Sequence, residues 1–243
     1  MSGRPALASV ASASLVVLLS VVSSCTTTPR TGPSSTPSTR RARTPRVHNG
    51  KVGIVLFGRS VTQQWFRHWG VAPERGVTKG RYQLLHRVFS DYLPSESGWP
   101  EQIDRIVRRY AKHLQAVHYK HCFVDFEANT DLSRYQRIAD AVRRAVVQRQ
   151  GKALIIGNAL PLVEQASSAA IVAKQRAYNA WLRTFAAKHP RVFVFDQYQV
   201  LSTHEGYLKA EYAVSPSDSH LNKAGYQALD VAYFTFLARA FPK

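Results

Sequence analysis

Val52-Gly53-Ile54-Val55-Leu56-Phe57-Gly58-Arg59-Ser60-Val61-Thr62-Gln63-Gln64-Trp65 decides the architecture. The run Val52–Phe57 is continuously apolar, as expected of a strand buried on both faces of a parallel sheet. Residues 61–69 can form a short helix directly after it. Ser60 stands at that junction, where the chain turns from strand to helix.

The same alternation continues downstream. Residues 82–93 read either as a strand with a loop or as a helix. Pro100 begins an amphipathic helix with Ile103, Ile106, Val107, Tyr110 and Leu114 on one face. Residues 122–126 are expected as a second strand, and Leu132, Tyr135, Ile138, Ala139, Val142 and Val146 mark another helix. A strand over 153–156 ends at Gly157-Asn158. A helix over 169–189 carries Tyr178, Trp181, Leu182 and Phe185 on its buried face, Val192–Phe195 forms the last clear strand, and residues 222–241 close the chain as a helix. Repeated strand–helix alternation predicts a three-layer α/β/α sandwich with a mainly parallel sheet. Ligands of such sheets bind at the carboxyl ends of the strands. Ser60, the 127–131 stretch and Asn158 all fall just beyond expected strand ends. No internal repeat is present.

The first 51 residues do not read as folded, and those that remain suffice for one well-buried core. Arg4 supplies a positive start, and residues 6–22 are apolar and small, shorter than a comfortable transmembrane helix and similar to the apolar part of a signal peptide. Val22-Ser23-Ser24-Cys25 resembles a bacterial lipobox, which implies an export signal over 1–25 with lipidation of Cys25 and anchoring to the cell envelope. Ordinary signal cleavage with secretion, an uncleaved anchor and a chance cysteine are the alternatives. Residues 26–50 form a basic tether rich in Ser, Thr and Pro with no hydrophobic periodicity, and residues 51–243 form the domain. The one other cysteine, Cys122, lies in an apolar run; two such cysteines build neither a disulfide framework nor a metal site.

Lys and Arg number 33 against 15 Asp and Glu. All the acids and 26 of the bases lie beyond position 51, so the domain itself carries +11. Such an excess favours anionic partners: a membrane surface next to an acyl anchor, acidic glycans or nucleic acid. Solubility alone is the plainer explanation. No recognisable nucleic-acid module accompanies the charge.

Chemistry concentrates at the two ends of the domain. Ser60 could be a nucleophile, and Asp218-Ser219-His220-Leu221-Asn222-Lys223-Ala224-Gly225-Tyr226 supplies an acid and a histidine. A serine hydroxyl needs a base to take its proton, and that base needs a third group to fix its tautomer. Each residue also has a structural reading: Ser60, Asp218 or Ser219 could cap a helix, and His220 could be a surface histidine.

Phe57-Gly58-Arg59-Ser60-Val61-Thr62 resembles the first conserved block of the SGNH (GDSL-type) hydrolases, and the Asp218–His220 segment with Gly225-Tyr226 resembles their last. The resemblance covers roughly residues 52–241. It implies a carboxylic ester hydrolase or O-acyltransferase working without cofactor or metal, with Ser60 as nucleophile, His220 as general base and Asp218 as its orienting acid. Its oxyanion donors would be the Ser60 N–H, Gly98 and Asn129, with Asn158 as the alternative to Asn129. Two departures stand out. Arg59 replaces the family's Asp, and Asp218 precedes His220 by two residues where Asp-x-x-His spacing would use Ser217. Arg59 could hold an anionic substrate group or pair internally with Asp125 or Glu127. Tyr82, Trp65, Trp69 and Trp99 could stack on sugars or belong to the core. The expected substrate is an acylated glycan of the envelope or a small ester. A catalytically silent, polymer-binding lipoprotein of the same fold is the alternative.

Overall fold

The computed structural model describes residues 50–91 and 94–242. The expected export signal with Cys25, and the expected tether up to residue 49, lie outside the described residues. In chain order the elements are β1 Val52–Phe57, α1 Ser60–His68, β2 Gly76–Lys79, β3 Tyr82–Arg87, α2 Gly98–Arg109, β4 Ala116–Lys120, α3 Leu132–Arg143, β5 Ala153–Gly157, α4 Ala169–Lys188, β6 Val192–Phe195, α5 Gln197–Leu201, β7 Ala213–Ser215, β8 Asp218–Leu221 and α6 Lys223–Ala240. Six strands form one sheet in the order β2-β3-β1-β4-β5-β6, parallel except for β2. Strands β7 and β8 form a separate antiparallel hairpin.

The side-chain period of two divides each central strand between two cores. Ile54, Leu56, Ala116 and Ile155 face α1, α5 and α6. Val55, Phe57, Val117, Tyr119, Leu154 and Ile156 face α2, α3 and α4. The architecture is thus the three-layer α/β/α sandwich expected from the sequence. Helix α1 is locked to α6 by Asp230, which accepts hydrogen bonds from the indole N–H of Trp65 (2.6 Å) and of Trp69 (2.9 Å). Trp65, Trp99 and Tyr82 are core residues, so none of the three is a sugar platform.

One strand assignment is corrected. The second central strand is β4, Ala116–Lys120, and residues 122–126 are instead organised around a 3₁₀ turn, Phe123–Asp125. His118 and Lys120 make β4 look polar, yet all five of its residues are buried; the segment that follows looks apolar but exposes Val124. Residues 127–131 therefore begin seven positions after the strand rather than at its end. The described part of the 82–93 stretch resolves into β3 and a loop. The helix expected from Pro100 starts two residues earlier, at Gly98.

Two fully buried histidines make the fold acid-sensitive. Burial pushes His86 down to about 4, although its bond to the Gly58 carbonyl works against this. Burial pushes His118 down to about 3, with Lys120 adding to it; its Nδ1 lies 3.0 Å from Tyr233 Oη. Both bind a proton more weakly in the folded chain than in the unfolded one. The stability they confer is complete above the unfolded value of about 6.5 and falls as the pH drops toward their folded values, by up to about 1.4 kcal/mol per pH unit for each group. Urea unfolding at pH 7, 6 and 5 is expected to show falling midpoints. His118→Gln is expected to flatten that slope, and an unchanged slope would exclude His118 as a source.

Candidate active site

Ser60 is the first residue of α1, just past the carboxyl end of β1. The turn before it needs Gly58, because a Cβ there would lie 2.0 Å from Thr62 Oγ1. Ser60 is half-buried. Its hydroxyl does not cap the helix: the N-cap position is Arg59, and no side-chain cap bond forms there. Ser60 Oγ makes no hydrogen bond with any described residue. The first N–H groups of a helix have no partner within it, so the hydroxyl sits beside backbone donors suited to an oxyanion.

The acid and base come from the hairpin. In β8, burial alternates: Asp218 and His220 face outward while Ser219 and Leu221 face inward. Ser219 Oγ accepts from Val163 N–H (3.0 Å), and Leu221 joins the core. A two-residue spacing on a strand puts Asp218 and His220 side by side on one face, which a three-residue spacing on a strand would not. His220 Nδ1 donates to Asp218 Oδ1 at 2.7 Å, and the same oxygen accepts the His220 backbone N–H at 2.9 Å. These bonds to His220, backbone and side-chain, hold the Asp218 carboxyl below its usual range. With Nδ1 donating, Nε2 is the basic nitrogen. Both side chains stay within reach of solvent, at 36% and 44% exposure. Neither Asp218 nor Ser219 caps α6; Asn222 does, accepting from Gly225 N–H while its amide donates to the Glu211 and Ala213 carbonyls (both 2.9 Å). That residue fixes the hairpin to the helix.

The Phe123–Asp125 turn lies against both halves. On one side Asp125 pairs with Arg59, the neighbour of Ser60. On the other the Phe123 ring meets the His220 imidazole edge-on at 5.1 Å. Tyr226 Oη donates to the Val61 carbonyl (3.2 Å), joining the first turns of α6 and α1. Arg59 thus takes the inward of the two arrangements open to it. Burial opposes ionisation of Asp125, but the nearby His121, 3.7 Å away, and the Arg59 guanidinium more than offset this and keep the carboxyl low. Burial keeps His121 itself below its ordinary range, so the charge that Asp125 answers is the guanidinium. Asp125 also accepts the Cys122 N–H at 2.6 Å. Phe123 is not among the residues the sequence singles out, Asp125 enters there only as a possible partner of Arg59, and Tyr226 only within the last motif; the apolar 122–126 stretch masks the first two as strand.

The expected oxyanion donors come from three different segments. Gly98 is the first residue of α2, packed so closely against Asp91 that a Cβ would lie 2.0 Å from its Oδ2. Asn129 is exposed in the turn after Glu127. Asn158 is buried and committed: its amide donates to Asp196 (2.6 Å) and its oxygen accepts from Tyr198 N–H (2.9 Å). Cys122 is a buried free thiol. Among the described residues no cluster of three or more His, Cys, Asp or Glu side chains could hold a metal ion, and no helix is long and apolar enough to cross a membrane.

No protein-family profile matches the chain, and no curated protein sequence matches it. Solved structures do. A GDSL-like lipase from Bacteroides thetaiotaomicron superposes with a TM-score of 0.57 at 14% identity, over 78% of this chain and 89% of its own. A member of the lipolytic G-D-S-L family from Veillonella parvula gives 0.51 at 18% identity, over 77% and 99%. An alpha/beta hydrolase enzyme from the metagenome of Lake Arreo gives 0.50 at 14%, over 79% and 95%. The fold is that of the SGNH hydrolases, and these structural neighbours are hydrolases.

Removing one partner from a buried ion pair strands the other charge, at a cost of about 3–5 kcal/mol. Asp125→Ala is therefore expected to lower the urea midpoint by that equivalent at pH 7. The deficit should be full above the unfolded carboxyl value of about 3.9 and shrink as the pH falls through the lower folded value, where the wild-type pair is itself protonated. A variant as stable as the wild type at pH 7 would show that the pair contributes nothing.

Proposed function

We propose that the chain is an exported serine esterase or acyl hydrolase that works through Ser60, His220 and Asp218. The observation that carries this reading is the Asp218–His220 pair at 2.7 Å on the solvent face of β8, against the turn whose Asp125 holds the residue next to Ser60.

His220 Nε2 takes the proton of Ser60 Oγ as that oxygen attacks the acyl carbon. Asp218 holds the Nδ1 proton in place and stabilises the imidazolium that forms. The oxyanion of the tetrahedral intermediate accepts from the Ser60 N–H, with Gly98 and Asn129 as further proposed donors. Collapse expels the alcohol, which receives its proton from His220 Nε2 and leaves an acyl-Ser60 ester. Water, deprotonated by the same nitrogen, attacks the ester carbon; collapse releases the acid, and Nε2 returns the proton to Ser60 Oγ. An acceptor hydroxyl in place of that water gives acyl transfer. Every atom and proton balances among substrate, water and these side chains. The reading requires a Ser60–His220 hydrogen bond to form in the substrate complex, where catalytic hydrogen bonds often tighten.

The proposed substrate is an O-acyl group, acetyl first, on an envelope or extracellular glycan. The lipobox-like Val22–Cys25 sequence supports attachment to the bacterial envelope through lipid on Cys25, and the domain's +11 charge supports anionic polymers as partners. The free Ser60 hydroxyl favours one competing reading: a silent lipoprotein of this fold that binds such polymers.

Hydrolysis of p-nitrophenyl acetate and of O-acetylated polysaccharide separates the two. The esterase reading expects turnover that Ser60→Ala removes and that Asp218→Asn lowers roughly 10²–10⁴-fold in kcat with little change in KM. Folded wild-type protein without turnover on either ester would favour the binding reading.

A further inference from the structure

A groove of about 810 Å³ opens between α4 and α5. One wall is the face of α4 formed by Arg176, Asn179, Ala180 and Arg183, spaced i, i+3, i+4 and i+7. Two turns of helix separate the arginines, and the small Ala180 side chain between them leaves the floor open. The other wall is the segment after β6, from Asp196 through α5 to His204. The turn at its end is held by Tyr198 Oη, which donates to the Gly206 carbonyl at 2.9 Å. Gly206 has φ +104°, and a Cβ there would lie 2.5 Å from that hydroxyl, so only glycine keeps the wall in place.

The groove's donors outnumber its acceptors. Asp196 Oδ1 already accepts from Asn158 (2.6 Å) and from Gln199 N–H (3.0 Å). Its Oδ2 is 3.8 Å from Arg183 Nη1, a long contact on an arginine side chain 61% exposed. Arg176 uses one N–H, to the His204 carbonyl (2.6 Å), of the five a guanidinium carries. Asn179 is 3% exposed; its oxygen accepts from Ala159 N–H, while its Nδ2 has no partner. A buried amide donor without an acceptor costs free energy. Two guanidiniums on one groove suit an oxyanion.

The groove follows β6 and Ser60 follows β1, so both lie at the carboxyl edge of the same parallel strands. Three strand steps separate them in the order β1-β4-β5-β6, roughly 15 Å at about 4.8 Å per step.

We propose that this groove is a subsite for an anionic sugar unit, bearing a carboxylate or a phosphate, on the same glycan chain whose ester group enters at Ser60. The proposal rests on the esterase reading for the ester, and on the groove alone for the anion.

Binding is tested apart from catalysis. Short oligogalacturonides, oligomers of glycerol phosphate and neutral xylo-oligosaccharides of matched length are titrated calorimetrically into the full chain at fixed ionic strength. One anionic series is expected to bind roughly tenfold or more tightly than the neutral one, and which series does so names the anion. Arg183→Gln and the Arg176→Gln/Arg183→Gln double variant are expected to lose that advantage. Arg105→Gln on α2, an exposed arginine outside the groove, is expected to keep it. Hydrolysis of p-nitrophenyl acetate, which has no anionic unit, should stay within about twofold of wild type in Arg183→Gln. Equal binding of anionic and neutral chains, or equal losses from Arg183→Gln and Arg105→Gln, would overturn the subsite. Selective, Arg183-dependent binding without any ester turnover would uphold the groove and count against the esterase reading instead.

Discussion

A buried ion pair between Arg59 and Asp125 organises the edge of this protein that carries Ser60. The strand-to-helix turn that presents Ser60 has no cap of its own, and the loop after β4 has no regular structure beyond a 3₁₀ turn. Each would be free to shift without the other. Asp125 ties them together: it binds the residue before Ser60 and also accepts the Cys122 N–H within its own turn. The Phe123 ring, fixed in the same turn, then meets His220. A charge placed beside Ser60 is thereby turned into a structural brace.

The second constraint is the strand geometry of the Asp218–His220 pair. One residue separates the two, and a strand places both on its solvent face. Ser219 and Leu221 anchor the opposite face. His220 is therefore oriented by a hairpin that is in turn held to α6 through Asn222. The groove between α4 and α5 extends the same edge of the sheet toward β6.

Much of this was legible in the sequence because burial in a parallel sheet leaves a simple record. Val52–Phe57 reads as a strand because both its faces are buried, and the helices read clearly because only one face of each is. The pattern failed where polar residues are buried. His118 and Lys120 lie in the core, so β4 was displaced onto the apolar residues that follow it. The turn carrying Phe123 and Asp125 was hidden by the same displacement. The short strands β2, β7 and β8 have half-exposed patterns that no apolar run announces. Ser60, Asp218 and His220 were readable as chemical types at the right ends of the chain. Their relation was not, because it depends on whether residues 218–220 are extended, a property set by pairing with β7. The α4 face of the groove was present as spacing, but its two arginines acquire meaning only from the wall that α5 sets opposite them.

The most direct measurement is labelling of the purified protein with a fluorophosphonate probe, followed by peptide mass mapping. Such probes react with a serine whose proton is taken by a neighbouring base and spare an ordinary hydroxyl. Stoichiometric modification of Ser60, lost in His220→Ala, is the result expected of an activated nucleophile. Folded protein that remains unlabelled at Ser60, or that labels equally well without His220, would contradict it.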